Sequence, residues 1–184
     1  GEREKQTNEM RKATQDILEL VQQIETFNKF SDGLLRNPPK AEQMYRSITS
    51  TMHEYLNHQR QLAGNDNAAV KRNQIGVAIS QGQITTDQVH YNAQSEISGT
   101  QAKVRALKDA IGQAMESCES SKDSIADQNI ISAMTTACDR LSQGKGTFDR
   151  NCDAISQRFE KSEVTYREEQ QKQRRIADES ARIE

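Results

Sequence analysis

In the middle of this chain Ile97, Val104, Ile111 and Cys118 fall every seven residues, and Leu107 and Ala114 fill the row between them. A seven-residue repeat keeps one narrow apolar stripe of a helix turned towards a neighbouring helix. Sustained repeats therefore predict bundle or coiled-coil packing at a shallow crossing angle. The N-terminal stretch repeats the device. Met10, Ile17 and Ile24 stand at intervals of seven, Ala13, Leu20, Phe27 and Leu34 form a second row, and Val21 and Leu35 lie beside it. That is the stripe of a helix burying one face from Glu2 to Leu35. Towards the C-terminus Phe148, Cys152, Ile155, Phe159, Ser162 and Tyr166 alternate in steps of four and three. Beyond Tyr166 the same seam reads Gln170, Gln173, Ala177, Ser180, so the last turns are expected to project past the body or to pair with sequence outside this chain.

The breaks between these stripes set the helix count. Pro38 and Pro39 end the first helix, because proline removes a backbone donor and disfavours helix in the residue before it. A second helix is expected from Lys40 to about Ala63, with Met44, Ile48, Met52, Tyr55 and Leu62 turned inward, and Gly64-Asn65-Asp66-Asn67 closes it as a turn. A short helix follows over 68–80. Gly82 with Thr85-Thr86-Asp87, the polar stretch Glu119 to Asp127, and Gly144-Lys145-Gly146 then read as further turns. The expectation is an all-α chain: an elongated antiparallel helical bundle of five or six helices with coiled-coil-like heptad packing, forming a single domain over 1–184.

Composition agrees with a thin, helix-only body. Only 33% of residues are hydrophobic and 28% are charged, so a thick enzyme-like core is unexpected. No stretch approaches the ~20 apolar residues of a membrane span. The 25 Lys+Arg against 27 Asp+Glu leave a net charge of −2, which argues against nucleic-acid binding through overall positive charge. The chain opens at Gly1 and closes inside strongly helical, charged sequence, the pattern expected of a processed product or a piece of a larger protein whose flanks could include membrane spans.

Cys138 and Cys152 stand seven residues either side of Lys145. If the chain turns at Gly144–Gly146, they face each other at one height and a disulfide is geometrically allowed. The other reading is two ordinary buried thiols, and Cys118 could replace either partner. A bridge would place the protein in an oxidising, extracytoplasmic compartment, and its absence would leave the cytosol open.

No catalytic, cofactor or metal site emerges. His53-Glu54-Tyr55-Leu56-Asn57-His58 superficially matches a zinc-peptidase motif, but histidines five apart lie about 140° around a helix and cannot chelate one ion. His90 has no expected partner. Gly144-Lys145-Gly146-Thr147 resembles the end of a phosphate-binding loop, yet Asp139 stands where the first glycine belongs and no strand precedes it. Lys172, Arg174 and Arg175 are offset by Glu168, Glu169, Asp178 and Glu179.

The leading expectation is a non-enzymatic helical bundle for protein–protein interaction, assembly or spacing, with a protein partner or self-association along its helix faces. One alternative is the extracytoplasmic ligand-sensing domain of a membrane receptor of chemoreceptor or sensor-kinase type, binding a small molecule between helices near Gln101, Arg105 and Lys108. Another is a secreted or surface-exposed helical binding protein.

Overall fold

A computed structural model describes residues 1–183. These residues form four α-helices and no strand: α1 (Glu2–Arg36), α2 (Lys40–Gln61), α3 (Ala69–Ser120) and α4 (Gln128–Arg182), with short 3-10 turns at Asp66–Ala68 and Ser121–Asp123. The expected five or six helices are thus four, because two anticipated turns lie inside continuous helices. Gly82, Thr85 and Thr86 are helical within α3, and Gly144–Gly146 are helical within α4.

The glycines at those two places serve packing rather than turning. A Cβ on Gly82 would come within 2.7 Å of the Met52 side chain, and one on Gly144 within 3.2 Å of Ile24 Cγ2. Close helix approach outweighs the roughly 1 kcal/mol that glycine costs a helix interior. Thr85 and Thr86 do not cap a helix either. Thr85 Oγ1 donates to the Gln81 carbonyl within the same helix, while Thr86 is buried and accepts from Gln173. Real breaks fall where the chemistry is stronger: at Pro38-Pro39, at Gly64 with φ of +77°, and across 121–127, within the expected Glu119–Asp127 stretch.

The chain divides into two compact units, each of three helical segments. Unit 1 comprises Gly1–Asn37 and Gly99–Ser156. Its core carries Ile17, Leu20, Val21, Ile24 and Phe27 from α1, Ile111 and Ala114 from α3, and Met134, Ala137, Leu141, Phe148, Cys152 and Ile155 from α4. These are largely the residues of the sequence stripes. Contacts from Thr7–Asp127 through Thr14–Met134 to Asn28–Asn151 keep nearly constant sequence separation, so α1 and α4 run parallel here. Three mutually touching helices cannot all be antiparallel to one another, and α3 is antiparallel to α4 in this unit.

Unit 2 comprises Pro38–Ser98 and Gln157–Glu184. Its apolar cluster is Met52, Leu56, Ile75, Ile79 and Ile176. Met44 and Tyr55, expected inside, are 47% and 40% exposed; Met52 is buried as expected, and Tyr45 and Leu56 complete the buried face of α2. The end of α4 does not project. Thr165, Glu169, Gln173, Ile176 and Ser180 are buried, so a largely polar seam packs where the apolar stripe fades. Gln173 makes this tolerable by donating to both Thr49 and Thr86, at 3.0 and 2.8 Å. A buried amide without such partners would cost about 1–3 kcal/mol.

Candidate functional site

The densest polar constellation lies in unit 2, between α3 and α4 with α2 beside them. Asp87, His90 and Gln94 share one face of α3 by their spacing of three and four. Opposite them α4 presents Glu163, Tyr166 and Gln170 at the same spacing. His90 Nε2 lies 2.9 Å from Glu163 Oε2, and the Gln94 amide donates to that same oxygen at 3.1 Å. The His90 ring stacks on Tyr166, 3.6 Å between centroids and 4° from parallel. Tyr166 donates its hydroxyl proton to Asp87 at 2.9 Å and accepts from Gln170 at 3.2 Å. Tyr45 of α2 packs tilted against the Tyr166 ring at 5.4 Å, and Ser162 donates to the buried Glu42 at 2.7 Å.

His90 is therefore partnered, which the sequence did not reveal. Its carboxylate lies 73 residues away on another helix. The only sequence signal was the shared face of Asp87, His90 and Gln94.

Burial pushes the phenols of Tyr45 and Tyr166 up to about 12; for Tyr166 the hydrogen bond to Asp87 adds to the effect. Both stay protonated at neutral pH; both rings act as packing surfaces, and Tyr166 also as a donor. The ordinary phenol titrates near 10, so the unfolded chain loses these protons before the folded one. Stability that is full below pH ~10 is then lost as pH rises towards ~12. Alkaline titration followed by tyrosinate absorbance is expected to show two of the four tyrosines ionising only near pH ~12 or on unfolding. A Tyr45→Phe/Tyr166→Phe variant should show a flatter loss of stability over that window.

Unit 1 carries a different feature, an open groove of about 830 Å³ between α1 and α3. Phe27, Phe30, Ala106 and Leu107 give it an apolar floor, with Glu19, Gln22, Gln23, Thr26 and Lys103 around them. Lys103 Nζ sits 5.7 Å above the Phe30 ring, within cation–π range. Gln101, Arg105 and Lys108, the positions expected near a ligand, are exposed and do not line this groove; their neighbours Lys103, Ala106 and Leu107 do.

The cysteines are arranged differently from the expected Cys138–Cys152 bridge. Cys138 is bonded to Cys118, with Cα atoms 5.9 Å apart, and Cys152 is free and buried. The reason is the missing turn. With α4 continuous through Gly144–Gly146, Cys138 and Cys152 are separated by fourteen helical residues, about 21 Å at ~1.5 Å each. Burial raises the Cys152 thiol above its ordinary range, which suits a core residue.

The remaining motifs resolve into ordinary surface chemistry. Lys145 pairs with Asp149 at 2.6 Å on the helix surface, not with a phosphate loop. Lys172 lies 3.6 Å from Glu169, and Arg174 and Arg175 are exposed. Among the described residues no group of three or more His, Cys, Asp and Glu side chains is placed to hold a metal ion, and no helix is long and apolar enough to cross a membrane. Comparison with known proteins found no matching family model, no matching curated protein and no matching solved structure.

Proposed function

We propose that this chain is a non-enzymatic helical module that works by protein–protein contact. The observation that carries the reading is where the exposed apolar side chains fall. Of the nine large hydrophobic residues exposed among the described residues, seven belong to unit 2: Met44, Tyr55, Val70, Val77, Ile84, Tyr91 and Val164. Single exposed apolar residues need no explanation, but Val70, Val77, Ile84 and Tyr91 stand in one row of sevens on α3. Rows of exposed side chains on rigid helices suit recognition of another helix. Gel filtration with light scattering, run beside capture from an extract of the source cells, tests the reading. Either a mass above the 20.8 kDa monomer or a reproducible captured protein is expected. A strict monomer that captures nothing would overturn it.

The unit 1 groove favours a second reading, an extracytoplasmic ligand-sensing domain of a membrane receptor. Its volume falls within the ~300–1,000 Å³ of small-molecule sites, and apolar walls with a few polar groups suit an amphiphilic ligand. The Cys118–Cys138 bridge fits an oxidising compartment, where a secreted binding protein would also reside. Thermal-shift screening against metabolites distinguishes this reading by ligand-dependent stabilisation, which a Leu107→Glu variant should lose.

A further inference from the structure

The interaction reading leaves the partner open, and one face of α3 narrows it. Val70, Val77, Ile84 and Tyr91 fall every seven residues and are 74%, 62%, 50% and 76% exposed. On the opposite side of the same helix Ile75 and Ile79 are buried in the core of unit 2. The segment 70–91 is thus apolar on two faces, and only one of them is covered.

The chemistry around the outer row is unusual for this chain. Residues 73–86 contain no Lys, Arg, Asp or Glu, although the whole sequence is 28% charged. A solvated helix face would be expected to carry charges, whereas the centre of an interface is depleted of them. Gln74, Gln81 and Gln88 flank the row one turn on from Val70, Val77 and Ile84, and are also exposed. Each amide can donate and accept, so each can pair with a glutamine across a seam.

The period selects a helix as the occupant. A straight α-helix drifts ~20° per seven residues, so a row held at sevens stays in register only with a helix that wraps around it. Charge then selects the orientation. Lys71 stands at one end of the row and Asp87 near the other. Two copies lying parallel would set Lys71 against Lys71 and Asp87 against Asp87. Two antiparallel copies bring each lysine to the end of the other helix that carries the aspartate. The same pairing places Val70 opposite Tyr91 and Val77 opposite Ile84, a small residue facing a larger one at each step. It is also closed and two-fold symmetric, as most homodimer interfaces are.

We infer that the Val70/Val77/Ile84/Tyr91 face of α3 is an antiparallel homodimer seam, whose occupant is the same face of a second copy of this chain. This rests on the interaction reading and makes it specific. Sedimentation of the full chain over a range of concentrations should show a reversible dimer. Ile84→Glu should weaken that dimer by tenfold or more and return the mass to the monomer's 20.8 kDa, with helical circular dichroism unchanged because the side chain is half exposed. Mixing Val70→Cys with Tyr91→Cys chains under mild oxidation should link one to the other. Val70→Cys alone should form no link to itself, since antiparallel copies would hold those positions about 31 Å apart. Self-linking of Val70→Cys would overturn the antiparallel seam. A dimer untouched by Ile84→Glu would overturn the seam while leaving the interaction reading standing. A wild-type chain that stays monomeric throughout would also overturn it, and the capture experiment then decides the broader reading separately.

Discussion

Replacing Phe148 by alanine is expected to destabilise unit 1 by about 3–5 kcal/mol, the range for deleting a fully buried aromatic ring. Phe148 is completely buried on α4 and meets Phe27 of α1 at 5.4 Å in a tilted arrangement that adds to simple burial. Truncation removes the ring's apolar area from the core and leaves a cavity that long, straight helices cannot easily collapse to fill. Against a net stability of roughly 5–15 kcal/mol for a typical domain, the loss should be plain in a urea titration followed by circular dichroism. Phe30→Ala is the control. Phe30 is 44% exposed and should cost much less. Equal losses for the two variants would mean that Phe148 is not at the centre of this packing.

Removing the Cys118–Cys138 bridge is expected to cost about 3 kcal/mol, whether by reduction or by a Cys118→Ser/Cys138→Ser variant. The bridge closes a loop of 20 residues in sequence, and constraining such a loop in the unfolded chain has about that value. The connection it closes is also fixed from α1, where Gln6 accepts from the Ile125 amide and Thr7 from the Asp127 amide. Thermal melts with and without reductant should therefore separate, with unit 1 the affected half. Thiol titration gives the direct check. The denatured, unreduced protein should show one reactive thiol, Cys152, and the reduced protein all three. Three thiols before reduction would refute the bridge. In the native state Cys152 should react slowly, because it is buried and its thiol is held protonated.

The apolar rows were legible because they obey the arithmetic of a helix. Ile17, Ile24 and Phe27 in α1, Ile111 and Ala114 in α3, and Phe148 and Ile155 in α4 are core residues at the positions the spacing implied. The expected turns at Gly82 and Gly144 were not real, because a glycine's sequence context does not say whether its missing side chain relieves a backbone or admits a neighbour. Only the positions of Met52 and Ile24 decide that. The Cys138–Cys152 pairing followed from the expected turn; the bond found is the alternative in which Cys118 replaces Cys152. The His90–Glu163–Tyr166 cluster was hidden for another reason. Its members are polar residues on separate helices, and hydrophobic periodicity is blind to polar groups that become half-buried while satisfying one another.

The sequence by itself determined that this chain is helical and where α1, the Ile111–Ala114 end of α3 and α4 around Phe148–Ile155 hide their apolar stripes. It also placed the breaks at Pro38-Pro39, at Gly64 and at Glu119–Asp127, because these depend on chemistry a few residues wide. Tertiary structure alone decided which cysteines bond and which glycines are contacts. It also decided that the polar end of α4 is interior, and that Val70, Val77, Ile84 and Tyr91 are left outside while Ile75 and Ile79 go in. Those outcomes depend on which helix lies against which face, and a helix with apolar residues on two sides does not specify in advance which side its own chain will cover.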